Sequence, residues 1–346
     1  MQANTKKISS SIDIVKFIIS IHVIFAHLAD LGVVVLDNAY IYIEWFFIFI
    51  GYNVARKIAE SDLKYDNFHM TCEIIKSRIV NILPYYLVSC TLAVIIKTRV
   101  GMITYEDPWI IHRIIFDYLM LYMMTFSVYH LTNVSWFLSA VWLALIILVP
   151  LAVKFKHRFF RLGLLIYIII YFYIYKAYEV IWDPDFWTPF GYKGFLRAVG
   201  SISLGMFAYE LGLFLKDKFK NYILESIFII IAYAIIFIQF DKYEFKLLFY
   251  FLPIIFAFLI IVQMNSKKFI IPDCAFTRLL GKISMVIFLN HFYIYMAIDK
   301  LSSASPYYKA KIGIIGCIIA STFVYLIVDL YKYVKKSLKS TQVSNV

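Results

Sequence analysis

Long apolar segments recur along almost the whole of this chain, and they constrain its fold more than any other feature. A run of roughly 20 apolar residues is long enough to cross a bilayer as a helix. Over 346 residues, 62% are hydrophobic and the mean hydropathy is +0.79, which excludes an ordinary soluble domain. The runs lie at 12–36, 41–56, 73–96, 111–128, 134–153, 160–178, 199–215, 222–239, 246–264, 281–298 and 311–334. We therefore expect an all-α polytopic membrane bundle, with one membrane domain over 1–346 and no soluble domain.

The positive charges decide which runs cross the membrane. The net charge of +12 is concentrated in short loops, as expected for cytoplasmic loops facing anionic lipid and not for a nucleic-acid-binding surface. Lys6 and Lys7 place the N-terminus in the cytoplasm. If the run 111–128 crossed, the basic clusters at 154–161 and 332–336 would lie outside. The sequence therefore predicts a re-entrant or interfacial helix at 111–128, about ten spans, and both termini in the cytoplasm.

Three ionisable residues inside apolar runs are the first candidates for chemistry. Lys16 and His27 are eleven residues apart, so on one α-helix they share a face with a rise of about 16 Å. His291 lies deep in the tenth run. Because charge in hydrocarbon is costly, such residues favour a cavity, where a neutral imidazole can act as a base. Glu210 is the best carboxylate to orient that base. Lysine snorkelling and histidines or a glutamate satisfied by other helices remain alternatives.

Four basic residues are predicted near the cytoplasmic face: Lys16, Lys76, Arg78 and Lys282. Lysine and arginine bind phosphate by charge-assisted hydrogen bonds, so this cluster is a hypothesis for the phosphates of a cytoplasmic cofactor. Plain membrane anchoring is the alternative. The four cysteines are scattered singly and predict neither a disulfide framework nor a metal site.

The predicted outer loop at 179–197 combines aromatic and acidic side chains, including Trp182, Asp183 and Trp187. Aromatic faces beside carboxylates suit carbohydrate binding. An aromatic belt at the membrane interface explains the same residues equally well.

Several motifs resemble one known family of membrane proteins. Lys16-x10-His27 in the first helix looks like the arginine-or-lysine, ten residues, histidine signature of the acyltransferase-3 family. Four further segments are similar to family motifs and follow in the family's order. They are EWFFIFIGY (44–52), KSRIVNILPYY (76–86), SWFLSAVW (135–142) and GKISMVIFLNH (281–291).

The chain departs from the family pattern at four positions. Asn81 replaces the second arginine of R-x-x-R, and Val141 stands where many members have a glutamate. Met285 and Phe288 replace tyrosines near the C-terminal histidine. In length and motif pattern the chain is more similar to the single-domain members of the family, which modify exopolysaccharides or surface glycans.

The resemblance implies a bacterial cytoplasmic-membrane O-acyltransferase. Such an enzyme moves acetyl, or succinyl, from cytoplasmic acyl-CoA to a hydroxyl of an envelope polysaccharide or lipid-linked glycan. Acyl-CoA is then a co-substrate, with no permanently bound cofactor. By the same resemblance, Lys16 and Arg78 lie near the acyl-CoA, His27 is the central catalytic residue, and Trp136 and His291 line the site.

Two other functions stay open at this point. Buried ionisable residues also occur along transport paths, so a glycan or small-molecule transporter is the main alternative. An accessory subunit of a polysaccharide synthase is a further one. Whether the histidine deprotonates the acceptor or accepts the acyl group itself is also open, and the sequence predicts no oligomeric state.

Overall fold

Eleven α-helices and one short hairpin form the regular structure of the described residues. The computed structural model describes residues 10–33, 39–61, 66–104, 108–124, 131–132, 134–178, 184–239 and 248–344. The helices are α1 (Ser10–Ala26), α2 (Ile43–Glu60), α3 (Asn67–Arg99), α4 (Ile110–Tyr118), α5 (Ser135–Phe155), α6 (His157–Tyr178), α7 (Lys193–Leu215), α8 (Tyr222–Gln239), α9 (Leu248–Asn265), α10 (Ala275–Leu301) and α11 (Pro306–Ser344). Strands β1 (Trp187–Thr188) and β2 (Gly191–Tyr192) pair antiparallel. The predicted all-α membrane bundle is confirmed.

Seven segments are long and apolar enough to span a bilayer. They are Ser10–Leu31, Asn67–Arg99, Ser135–Phe155, His157–Tyr178, Lys193–Lys218, Ala275–Leu301 and Pro306–Lys335. The other three predicted spans correspond to α2, α8 and α9, which have 18 residues each. At 1.5 Å per residue they reach about 27 Å, slightly less than a hydrocarbon core of about 30 Å. The structure therefore supports seven of the ten predicted spans by length and composition.

Over its described residues, 111–124, the run predicted as re-entrant or interfacial contains no helix long enough to span a bilayer. Its helix, α4, has nine residues, or about 14 Å of rise. Asp117 anchors it to its neighbours: the carboxylate accepts hydrogen bonds from Leu131 N (2.6 Å) and Ser135 Oγ (3.1 Å). The hydroxyl of Tyr86 donates to the Asp117 carbonyl at 2.5 Å. These bonds hold the short helix against α3 and α5.

The bundle has two ends, which we name after the residues of α1. At the Lys16 end, α1, α3 and α10 begin and α2 finishes, and Ser10 Oγ donates to the Ile271 carbonyl at 2.5 Å. At the His27 end, α1 finishes and α2, α5, α7 and α11 begin. There Gly32 lies against Pro306, the first residue of α11.

Helix α7 is largely buried and packs mainly between α2 and α6. It approaches α2 very closely because glycines occupy both sides of the crossing. A Cβ on Gly51 would collide with the Ile202 carbonyl, and one on Gly205 would collide with the Ile48 carbonyl. Small residues permit this close backbone approach. The resulting van der Waals packing stabilises helix association in lipid, where the hydrophobic effect does not drive helices together.

A fully buried ion pair joins the same two helices at the His27 end. Arg197 Nε donates to Glu44 Oε1 at 2.6 Å, with side-chain exposures of 1% and 0%. Ser201 donates to the other carboxylate oxygen at 2.6 Å, so its own oxygen accepts from the Tyr171 hydroxyl at 2.8 Å. The guanidinium also lies 5.6 Å from the Trp136 ring. Both carboxylate oxygens are thus satisfied inside the bundle.

Removing one partner of this pair is expected to destabilise the protein strongly. Arg197→Ala would leave Glu44 buried without its counter-charge, a change that costs about 3–5 kcal/mol in buried pairs. We expect a large drop in the thermal unfolding midpoint of the detergent-purified protein. The double variant Glu44→Gln, Arg197→Met should recover most of that drop.

Arg161→Ala is the matched control, since Arg161 is 67% exposed and pairs with Glu210 at 3.1 Å. Exposed pairs contribute about 0–1 kcal/mol. Equal midpoints for Arg161→Ala and Arg197→Ala would show that the buried pair does not stabilise the bundle.

Candidate active site

His27 lies where α1 changes into a tighter helix. The α-helix ends at Ala26, and His27–Leu31 forms a 3₁₀ helix, which Gly32 ends with a left-handed φ of 81°. His27 Nδ1 is 3.0 Å from Asp30 Oδ2. A carboxylate only accepts, so Nδ1 carries the proton and Nε2 has the lone pair in neutral His27. The side chain of His27 is 32% exposed.

His291 is completely buried in α10. Its Nδ1 is 2.8 Å from the Phe288 carbonyl, one turn earlier in the helix. A carbonyl also only accepts, so Nδ1 carries the proton here as well. Nε2 of His291 is buried with no hydrogen-bond partner among the described residues. This nitrogen is therefore an unused acceptor inside the bundle.

The structure brings these two histidines together, although 264 positions separate them in the sequence. Their ring centroids are 5.1 Å apart. Phe292 packs edge-on against both rings, at 5.1 Å from His27 and 6.4 Å from His291. Phe288 lies 5.9 Å from the His291 ring. The result is a histidine pair enclosed on one side by aromatic rings and partly open at His27.

Lys16 lies toward the opposite end of α1, close enough to Arg78 for the two positive charges to repel each other. Lys16 Nζ is 3.3 Å from Asp13 Oδ1 and 4.9 Å from the centre of the Phe49 ring. The charge of Arg78 interacts with that of Lys16, and also with those of Arg56 and Lys57 near the end of α2.

Arg78 Nε is buried and has no hydrogen-bond partner in the described part of the chain. A cationic group with an unused donor among other cations favours an anionic ligand.

Two other predicted basic residues lie outside this cluster. The Lys76 side chain is 71% exposed, 3.9 Å from Glu73 one turn earlier. Lys282 is exposed near the start of α10. Both lie toward the Lys16 end, where α3 and α10 begin, and their exposure fits membrane anchoring better than a built phosphate site.

The structure places Glu210 far from the histidine pair, which corrects its predicted role. Its carboxylate accepts from His157 at 2.5 Å and from Arg161 at 3.1 Å. Since α7 begins at the His27 end, Glu210 lies seventeen residues along it, or about 26 Å toward the Lys16 end. Asp30 is the carboxylate beside His27.

The four residues predicted to bind substrate do not form one site among the described residues. Trp136 is 8% exposed and packs on Arg197, so it belongs to the buried ion-pair region. Trp187 is 54% exposed in the hairpin, where it packs edge-on against Tyr192 at 4.9 Å. Trp182 and Asp183 lie outside the described residues.

The hairpin region is tied to the short segment after α4. The Tyr122 hydroxyl donates to Asp185 at 2.7 Å. Burial and the neighbouring Asp185 carboxylate raise the pKa of Tyr122, which keeps its proton on this bond. Met123 N in the same segment donates to Ser139 Oγ at 2.9 Å, so the hairpin is held beside the start of α5.

Sequence reasoning missed Asp30 and the Glu44–Arg197 pair. Asp30 lies three residues after His27, a spacing that brings two side chains together in an α-helix and directly above one another in a 3₁₀ helix, so this signal was present in the sequence. Glu44 and Arg197 are 153 positions apart, and nothing local in the sequence pairs them.

Comparison with known proteins gives one match. A family model described as an acyltransferase domain matches residues 9–330, almost the whole chain. No curated protein and no solved structure matches the chain.

Proposed function

The chain belongs to the acyltransferase-3 family and is a multi-pass membrane acyltransferase, and from this premise we propose its reaction. It transfers an acetyl or succinyl group from cytoplasmic acyl-CoA to a hydroxyl of an envelope polysaccharide or lipid-linked glycan. The observation that carries the proposal is the arrangement along α1. A histidine pair lies at one end, and a cationic cluster with an unsatisfied arginine lies at the other.

The Lys16 end is the entry for acyl-CoA. Lys16 and Arg78, supported by the charges of Arg56 and Lys57, bind the phosphates of the coenzyme. Arginine and lysine suit phosphate because their N–H groups donate charge-assisted hydrogen bonds. By the positive-inside rule this end faces the cytoplasm of a bacterial inner membrane, and both termini lie on that side.

The acyl group is then carried to the histidine pair along α1. Lys16 and His27 are eleven residues apart, a rise of about 16 Å. The phosphopantetheine arm of the coenzyme is an extended chain, and it spans this distance while the phosphates stay bound at the Lys16 end. Phe49, below Lys16, and Phe288, beside His291, offer apolar surface at the two ends of this path.

At the histidine pair, His27 acts as the general base. Its Nε2 takes the proton of the acceptor hydroxyl, and the resulting oxygen attacks the thioester carbonyl. The C–S bond breaks as the C–O bond forms, and the departing thiolate takes the proton from Nε2. The products are the acylated acceptor and coenzyme A. His291, with its free Nε2, accepts a hydrogen bond from the acceptor and helps to position it.

The acceptor approaches from the His27 end. The hairpin there exposes Trp187 and Phe190, by 54% and 67%. Aromatic surfaces of this kind stack on sugar rings and also rest at the headgroup level of a membrane. A lipid-linked glycan combines sugar rings with a lipid anchored at the headgroup level, so it matches both properties of these aromatic side chains.

Replacing His27 should abolish most of the acyl transfer. His27→Ala removes the base, whose contribution in general-base catalysis is about 10²–10⁴-fold. The measurement is acetyl-CoA turnover by purified protein in nanodiscs, by release of free thiol, with succinyl-CoA in parallel. His22→Ala is the control, because His22 stacks on Phe237 of α8 at 4.4 Å. Unchanged turnover in His27→Ala would reject the proposed mechanism.

Arg78 should contribute far more to acyl-CoA binding than Lys76. Losing a charge-assisted hydrogen bond costs about 1.5–3 kcal/mol, or roughly 10- to 100-fold in Kd. We therefore expect Arg78→Ala to weaken acetyl-CoA binding by that factor, and Lys16→Ala to weaken it too. The exposed Lys76 is the matched control, so Lys76→Ala should stay within about twofold.

Binding is measured by titration calorimetry on protein in nanodiscs. Equal losses in Arg78→Ala and Lys76→Ala would indicate diffuse surface attraction instead of a built site. No saturable binding of acetyl- or succinyl-CoA by the unmodified protein would reject the acyl-CoA donor and favour a transporter.

A further inference from the structure

We infer that Asp30 is the positioning residue of His27, and that the two histidines have different tasks. The His27–Asp30 pair carries the proton during transfer, whereas His291 stays neutral throughout and offers the substrate only its Nε2 acceptor. The inference rests on the transferase function proposed above and adds to it the residue that sets the tautomer of the base.

The local backbone explains why these two side chains meet. A 3₁₀ helix has three residues per turn, so side chains three apart lie directly above one another. His27 and Asp30 are the first and fourth residues of such a helix. Gly32, with φ of 81°, ends it, and its N–H donates to the Ala29 carbonyl at 2.8 Å. The transition from α-helix at Ala26 therefore places the carboxylate on His27 Nδ1.

The contact with Asp30 leaves Nε2 as the working atom of His27. A carboxylate holds the proton on Nδ1 and stabilises the imidazolium that forms when Nε2 takes a second proton. His27 is also 32% exposed and Asp30 49%, so water at this end of the bundle helps to solvate the pair when it is charged. Both conditions suit a group that gains charge during the reaction.

The surroundings of His291 are unlike those of His27. Its Nδ1 donates to a neutral carbonyl, that of Phe288, and the whole side chain is buried. The groups around it are the rings of His27, Phe288, Phe292 and Tyr295, with no carboxylate bonded to it among the described residues. A charge there would be neither paired nor solvated. His291 therefore serves as a fixed hydrogen-bond acceptor for a second hydroxyl of the acceptor, and this contact holds the reacting hydroxyl toward His27 and the thioester.

A small carboxylate supplied in solution should replace Asp30. In Asp30→Ala we expect acetyl-CoA turnover in nanodiscs to fall about 10- to 100-fold, the usual loss when a group that orients a functional histidine is removed. Because Asp30 is half-exposed, added formate or acetate should reach Nδ1 and restore part of the rate in a saturable way. If Asp30 had only a structural role, formate would not restore the turnover rate of Asp30→Ala.

Three variants complete the experiment. Asp30→Asn keeps an acceptor oxygen without the charge and should retain an intermediate rate. His27→Ala should not respond to formate. Asp299→Ala is the matched control, because Asp299 is 51% exposed near the end of α10 and pairs with Lys309 at 2.7 Å. Its rate should equal that of the unmodified protein with or without formate.

The outcomes separate this inference from the proposed function. A full rate in Asp30→Ala, or a loss that formate does not reverse while the variant keeps its unfolding midpoint, overturns the role of Asp30. If the unmodified protein turns over no acyl-CoA, or if His27→Ala is as active as the unmodified protein, the proposed transferase mechanism itself fails.

Discussion

The buried pair between Glu44 and Arg197 is the interaction on which the rest of the bundle depends. Two charges can stay in a low-dielectric interior only if they remain paired and hydrogen-bonded. That condition fixes the start of α2 against the start of α7. The glycine contacts of Gly51 and Gly205 then hold the two helices together further along. Trp136 rests on Arg197, so the start of α5 is positioned by the same pair.

Helices α1 and α10 carry the two histidines of the candidate active site. Both helices begin at the Lys16 end, and they place His27 against His291 near the other end. The cations and the imidazoles are thereby kept about three helical turns apart. Such a separation suits a reaction whose donor binds by its phosphates on one side of a membrane and reacts nearer to the other side.

Several residues show how far the sequence could predict the site. His27 and His291 were found because ionisable groups inside apolar runs are costly and therefore informative. Glu210 met the same criterion, but it lies near the end of α7 that is far from the histidine pair. Its distance from the histidines depends on the direction in which α7 runs through the bundle, which the sequence criterion did not consider. Lys76 and Lys282 were predicted to join the phosphate-binding cluster, and the structure shows both side chains exposed, which the sequence could not reveal. Asp30 was missed although its i,i+3 spacing from His27 is a neighbouring position in either kind of helix, and the structure shows that the contact forms in the 3₁₀ helix His27–Leu31.

The sequence alone determined that the chain is an all-α membrane bundle and that it resembles the acyltransferase-3 family, and it predicted a re-entrant or interfacial helix at 111–128. Those conclusions depend on local hydropathy, on charge near the ends of the runs and on short motifs, all of which can be read without long-range contacts. Only the tertiary structure decided which polar groups meet. The ion pair of Glu44 with Arg197 and the contact of His27 with His291 depend on how helices distant in the sequence pack, because the fold decides which neighbour a buried polar group meets.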